Sequence, residues 1–212
     1  MHLLSEEPSF APYLPTPIGD LASEFAVPAG QLPLILIDGR SGSGKSTFAR
    51  ALAAEIGADI VGTDDVAWYE SFFGWDQLLI DNVIDVWLRG DDVDWRPSPW
   101  VERNREGSIT ARAGRPLIIE GVGAARPTLR EHATGIVWVQ ADHELSETRG
   151  IARDVEQGRS EEHARAFWAE WAAQERPFQA DSRPWELADL VVFGTPTEPL
   201  PEAGNFLAAK PR

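Results

Sequence analysis

Apolar residues in the middle of the chain fall in short unbroken runs. Residues 32–38 (LPLILID), 60–63, 116–120 (PLIIE), 135–140 (GIVWVQ) and 189–193 (DLVVF) are each bounded by glycine, proline or charge. Runs this short, without polar alternation, predict strands buried on both faces, as in a parallel sheet. Between them the spacing changes to three and four. Residues 46–56 carry Phe48, Leu52 and Ile56 on one stripe, and 78–88 (LLIDNVIDVWL) repeats the pattern. Residues 128–132 predict a short helix, and 143–157 and 161–175 predict two charged helices separated at Gly158. Strands alternating with helices predict an α/β fold, a five-stranded parallel sheet sandwiched by helices.

The ends read differently. Pro8, Pro12, Pro15, Pro17 and Pro28 crowd residues 1–30, and that density predicts an irregular arm with one short helix near 18–25. The arm is a candidate either for packing on the domain or for mediating a homodimer. Pro196, Pro199, Pro201 and Pro211 predict a loose tail over 196–212. Residues 31–195 are expected to form one domain, a size that suits the 212-residue chain.

Composition narrows the function. A net charge of −15 disfavours nucleic-acid binding, which needs clustered Lys and Arg. The absence of cysteine excludes disulfides and thiolate zinc sites. No run approaches a membrane span, and the first residues lack a basic start followed by an apolar stretch; a cytoplasmic location is the expectation. Four scattered histidines show no metal-ligand spacing. Of the 19 Lys and Arg residues, only Lys45 and Lys210 are lysine, so Lys45 is the only lysine expected inside the domain.

Lys45 stands in Gly39-Arg40-Ser41-Gly42-Ser43-Gly44-Lys45-Ser46, which satisfies G-x-x-x-x-G-K-[ST] between a predicted strand and a predicted helix. Glycines let backbone N–H groups converge on phosphate oxygens, and the helix N-terminus adds positive potential. A lysine ammonium is a compact charge for the outer phosphates, where a broader guanidinium fits less well. The Ser46 hydroxyl suits a Mg²⁺ position. Gly39, Ser41, Gly42, Ser43, Gly44, Lys45, Ser46 and Thr47 are therefore the candidate ATP-binding residues. No Asn-Lys-x-Asp guanine signature exists, and the strand at 116–120 ends in Glu120-Gly121 rather than Asp-Glu. Both facts favour a small-molecule kinase over a GTPase or motor ATPase.

The loop, Thr63-Asp64-Asp65 followed by Trp68-Tyr69, the run 117–121 ending in Glu120-Gly121, and Arg149, Arg153, Asp154, Gly158 and Arg159 stand in one order. This order resembles the uridine kinase and phosphoribulokinase group of P-loop kinases, within which the chain is similar to a little-characterised bacterial ATP-binding branch. The resemblance implies transfer of phosphate from ATP with Mg²⁺ to a small-molecule hydroxyl. It assigns Asp64 as catalytic base or orienter, also near the metal. Ser46 and Glu120 would serve Mg²⁺, and Arg149, Arg153 and Arg159 would belong to a lid at about 143–176, with Lys45 and Arg153 stabilising the transferred group. Asp64 and Asp65 also suit a helix N-cap. The arginines also suit a charged surface helix with pairs such as Arg149–Asp154.

The acceptor is the open question. Five of the nine tryptophans lie in 68–100. Trp68, Tyr69 and Trp75, with Asp64 and Asp65, are candidates to face the acceptor, although such rings equally fill a core. Asp64, Asp65, Glu70, Asp76, Asp81, Asp85, Asp91, Asp92 and Asp94 make this segment acidic, which favours an acceptor not already phosphorylated. The Asp-His-Pro stretch of uridine kinases is absent, which weighs against uridine and cytidine as acceptors. A nucleotide-binding regulatory protein with little transferase activity and a sugar-acid-type kinase are the alternatives.

Overall fold

The structure is a computed structural model that describes residues 1–4, 6–196 and 204–211. In chain order the elements are β1 (Leu14–Pro17), α1 (Ile18–Ser23), β2 (Leu34–Gly39), α2 (Lys45–Ile56), β3 (Asp59–Gly62) and α3 (Thr63–Val66). Next come α4 (Asp76–Leu79), a π-helical turn (Ile80–Ile84), α5 (Asp85–Leu88), β4 (Val93–Trp95), α6 (Ser98–Glu102), β5 (Ile109–Ala111), β6 (Leu117–Glu120) and α7 (Pro127–Arg130). The chain continues through β7 (Gly135–Gln140), α8 (His143–Glu156), α9 (Glu161–Ser182), a 3₁₀ turn (Pro184–Glu186), β8 (Leu190–Phe193) and β9 (Asn205–Ala209).

The main sheet runs β1-β9-β8-β7-β2-β6-β3. Five consecutive strands, β8-β7-β2-β6-β3, are parallel, with β2 in their middle between β6 and β7. They are the five strands expected from the apolar runs. The sheet nevertheless has seven strands, because β9 pairs antiparallel with β8 and β1 pairs antiparallel with β9. This corrects the five-stranded expectation and the wholly loose reading of 196–212; residues 197–203 lie outside the described part. β1 reads Leu-Pro-Thr-Pro. Proline cannot donate to a ladder but is tolerated on an edge strand, where one side needs no donors. The expected short helix in the arm is α1. Among the described residues no helix is long and apolar enough to cross a membrane.

Alternation along β2 divides the core. Leu34 and Leu36 join Trp75, Leu79, Val83, Ile84, Trp87 and Trp100 on one face. Ile35 and Ile37 join Phe48, Leu52, Val137 and Val192 on the other. Period-two geometry in a sheet covered on both sides requires this split. The middle tryptophans therefore largely fill a core. Trp75, 1% exposed, is sealed by its indole N–H donating to the Phe72 carbonyl at 2.9 Å. The expected helix over 78–88 is present but passes through the π turn, with Leu79, Val83, Ile84 and Trp87 buried.

Because the central strands are parallel, their carboxyl ends share one edge, where open α/β sheets bind ligands. β2 leads there into the glycine loop, β3 into Asp64 and β6 into Glu120. Replacing Trp75 by alanine should lower stability by about 3–5 kcal/mol in chemical denaturation. Tyr69→Ala, at a ring 65% exposed, should stay within about 0.5 kcal/mol.

Candidate active site

The loop is shaped by where it must pack. Gly42 has φ +73°, and a Cβ there would lie 2.2 Å from the Ser146 carbonyl oxygen of α8. Gly44 has φ +96°, and its Cβ would meet the Gly194 carbonyl oxygen at 2.8 Å. Only glycine satisfies both the left-handed backbone and the close approach. Lys45 begins α2 and is 8% exposed; its ammonium donates to the Arg40 carbonyl at 2.9 Å, across the loop. The Ser46 hydroxyl donates to Glu120 Oε1 at 2.9 Å. Two residues 74 positions apart, both predicted to serve a metal, are thus in direct contact.

Asp38, the last side chain of β2 before the glycines, is a residue for which sequence reasoning assigned no role. It is buried, and its carboxylate accepts N–H bonds from Gly39 (2.7 Å), Gly123 (3.0 Å) and Ala125 (2.9 Å). Burial pushes its pKa up, against the three amides and the nearby Lys45, which pull it down. A lone aspartate ending an apolar strand was the available signal.

A cleft of about 800 Å³ opens above this edge. Ser41, Gly42, Ser43, Gly44, Lys45, Ser46 and Thr47 form its floor, with Glu120 beside Ser46. Gly39 lies beneath, outside the lining, and starts the turn. Asp64, in the first turn of α3, is exposed on the cleft wall and makes no hydrogen bond or ion pair among the described residues. Its neighbour Asp65 does not line the cleft: it binds Arg105, whose guanidinium lies 3.5 Å from the Trp100 ring centroid. The helix N-cap is Gly62, so neither aspartate caps α3.

Arg149, Arg153 and Arg159 all line the cleft. Arg149 donates to the Gly194 carbonyl at 3.1 Å. Asp154 is buried and holds the other two, at 3.1 Å from Arg153 and 2.8 Å from Arg159. The expected Arg149–Asp154 pair is replaced by these, because Asp154 is adjacent to Arg153 and the turn at Gly158 swings Arg159 back toward it.

Trp68 and Tyr69 line the cleft, and Tyr69 carries the Arg103 guanidinium 4.1 Å from its ring centroid. Trp75 does not line it: the ring is in the core, with Arg126 4.0 Å from its centroid. The structure supplies instead Phe72 and, from α9, Phe167, Trp168 and Trp171. Phe72 and Trp171 meet edge to face at 5.4 Å. Helical spacing puts Trp168 and Trp171 on one face of α9, but nothing in that spacing said what the face would meet.

No group of three or more His, Cys, Asp or Glu side chains suited to a metal occurs among the described residues. Ser46 and Glu120 offer hard oxygen donors that fit a Mg²⁺ sharing its coordination with phosphate oxygens and water.

No protein-family profile matches the chain. It is 31% identical over 104 residues to a cytidylate kinase of Streptomyces coelicolor, covering 49% of this chain and 36% of that one. It is 33% identical over 127 residues to a shikimate kinase of Paramagnetospirillum magneticum, covering 57% of each. The chain thus spans between 36% and 57% of the length of these two curated relatives. Among solved structures, one described as a possible uridine kinase from Bacillus stearothermophilus aligns with a TM-score of 0.49 and 19% identity over 82% of this chain and 96% of that one. Over about half of its length the chain is thus similar in sequence to two kinases.

Proposed function

We propose that this protein is an ATP- and Mg²⁺-dependent kinase of a hydroxyl-bearing small metabolite or nucleoside-like compound. One observation carries the reading: Asp64, a carboxylate without a partner among the described residues, faces the same cleft as Lys45 and the Ser46–Glu120 pair. A base beside an acceptor hydroxyl and a cationic cradle beside a triphosphate are the two halves of phosphoryl transfer. Sequence similarity to kinases supports the same reaction class.

Each residue has a physical task. The loop amides and Lys45 hold the β- and γ-phosphates. Lys45 leaves the Arg40 carbonyl for phosphate oxygens of higher charge. Ser46 and Glu120 would hold Mg²⁺ directly or through its waters, and the ion would neutralise charge on the phosphates. Asp64 orients the acceptor hydroxyl and receives its proton as the acceptor oxygen bonds to the γ-phosphorus and the bond from that phosphorus to the β,γ-bridging oxygen breaks. ADP leaves with the electron pair. Arg149, Arg153 and Arg159 reach over the cleft to stabilise the transferred group, and Phe167, Trp168 and Trp171 exclude water from it. Trp68, Phe72 and Trp171 offer flat apolar surface to the acceptor.

A panel of hydroxyl-bearing acceptors with ATP and Mg²⁺, read by mass shift of the product, tests the reading. A phosphorylated product in no case, with ATP bound, would leave a nucleotide-binding protein without transferase activity. With an active acceptor in hand, Lys45→Ala should lower kcat/KM by about 10²–10³-fold. Asp64→Asn should lower kcat by about 10²–10⁴-fold with ATP affinity unchanged, as removal of a positioned base does.

Asp154 provides a separate check on the lid. Asp154→Asn removes the charge that gathers Arg153 and Arg159. It should raise KM for ATP several-fold and reduce kcat by about tenfold through misplaced arginines. Steady-state kinetics with ATP varied at saturating acceptor reads both.

A further inference from the structure

The phosphate loop is held from behind by a carboxylate that neither the motif nor the proposed chemistry uses. Glu175 lies on α9, 4% exposed, and its Oε1 accepts the backbone N–H of Ser41 at 2.7 Å. It does not line the cleft, so it does not compete there for phosphate. Trp168, Trp171, Glu175 and Phe178 recur at three- and four-residue steps, so one face of α9 carries all four. Trp168 and Trp171 line the cleft, and Phe178 stacks on Phe73 at 3.8 Å between parallel rings. Glu175 is thus the point where the helix packed on the acceptor-side segment grips the loop.

A buried glutamate is costly unless its charge is met. Glu175 faces Ser41 of the loop. Arg40 of the loop, Arg176 of its own helix and His143 of α8 share its surroundings: His143 interacts electrostatically with Arg176, Arg40 and Glu175 together. The adjoining loop residue is held through its side chain from the N-terminal arm. Arg40, 5% exposed, donates from Nε to Glu7 at 3.3 Å, and Glu7 also accepts from Trp138 Nε1 at 2.7 Å and Gln140 Nε2 at 2.8 Å. The non-glycine part of the loop is therefore clamped between two buried carboxylates from distant parts of the chain. A glycine-rich loop has most to lose in entropy when it orders around a ligand, and fixing one peptide beforehand removes part of that cost.

We propose that Glu175 is a positioning residue of the nucleotide site: its carboxylate holds the Ser41 peptide so that the loop is preformed for the ATP phosphates. The proposal rests on the kinase reading for the identity of the ligand, but the clamp can be read without any ligand. The experiment compares wild type, Glu175→Ala and Glu175→Gln by calorimetric titration with Mg·ATP and by hydrogen exchange of the Ser41 amide in the free protein. Alanine removes the acceptor oxygen; glutamine keeps one at the same reach. Glu175→Ala should weaken Mg·ATP about tenfold, about 1.4 kcal/mol, and speed Ser41 exchange. Glu175→Gln should stay within about threefold of wild type in affinity, the rescue expected of a retained hydrogen bond. A folded Glu175→Ala with wild-type affinity and slow Ser41 exchange overturns the proposal, as does a folded Glu175→Gln as impaired as alanine. If Glu175→Ala does not fold, Glu175→Gln decides: slow Ser41 exchange with near-wild-type affinity supports the clamp, and fast exchange at an unchanged Tm overturns it. Equal Mg·ATP binding by wild type and Lys45→Ala would sink the nucleotide reading instead, with Ser41 exchange still reporting on the clamp.

Discussion

The Asp38 carboxylate is the constraint on which the site depends. It stands at the end of the central strand and binds the amides of Gly39, Gly123 and Ala125 at once. The first belongs to the phosphate loop and the others to the turn after Glu120. One buried carboxyl group, bonded to three amides, thus bridges two loops that leave neighbouring strands. Beside these loops Ser46 meets Glu120 at 2.9 Å. A polar group so deep survives only because each lone-pair direction in use meets a donor. The same donors that keep the charge tolerable also set the geometry.

Carboxylates elsewhere act mainly as anchors for arginine. Asp154 gathers Arg153 and Arg159, Asp65 holds Arg105, Asp76 reaches Arg126 and Glu7 holds Arg40. This changes the meaning of the acidic run at 64–94. Several of its charges are met by guanidinium groups from outside the run or by backbone, as when Asp92 accepts the Ala113 N–H at 2.7 Å. What reaches the cleft is a smaller set, chiefly Asp64 and Glu70, beside aromatic rings. The exposed pairs contribute little to stability; their consequence is placement, since a paired arginine keeps its plane and direction.

The parallel strands were legible because burial on both faces leaves an unbroken apolar run. The loop was legible because glycines at that spacing before a lysine and a serine suit a phosphate cradle and little else. Asp64, Glu120, Arg149, Arg153 and Arg159 were legible only as motif members, and they do converge on one cleft. Trp75 shows the limit. It stands seven residues after Trp68 in the same aromatic, acidic segment, yet Trp68 lines the cleft and Trp75 is sealed in the core. The added strands β1 and β9 show another. Their pairing joins residue 14 to residue 208, and proline content at both ends pointed away from a ladder.

The amino-acid sequence by itself determined the strand and helix order, the glycine loop and the chemical type of the residues around it. These are local properties, written in periodicity and in the few residues that a given backbone or charge permits. Tertiary structure alone decided which carboxylate each arginine serves, which aromatics face the cleft, that two prolines end up on a sheet edge, and that Glu175 meets Ser41 across 134 positions. Helical spacing says which side chains share a face but carries no information about the surface that face will meet. That surface is selected by the packing of the whole sheet.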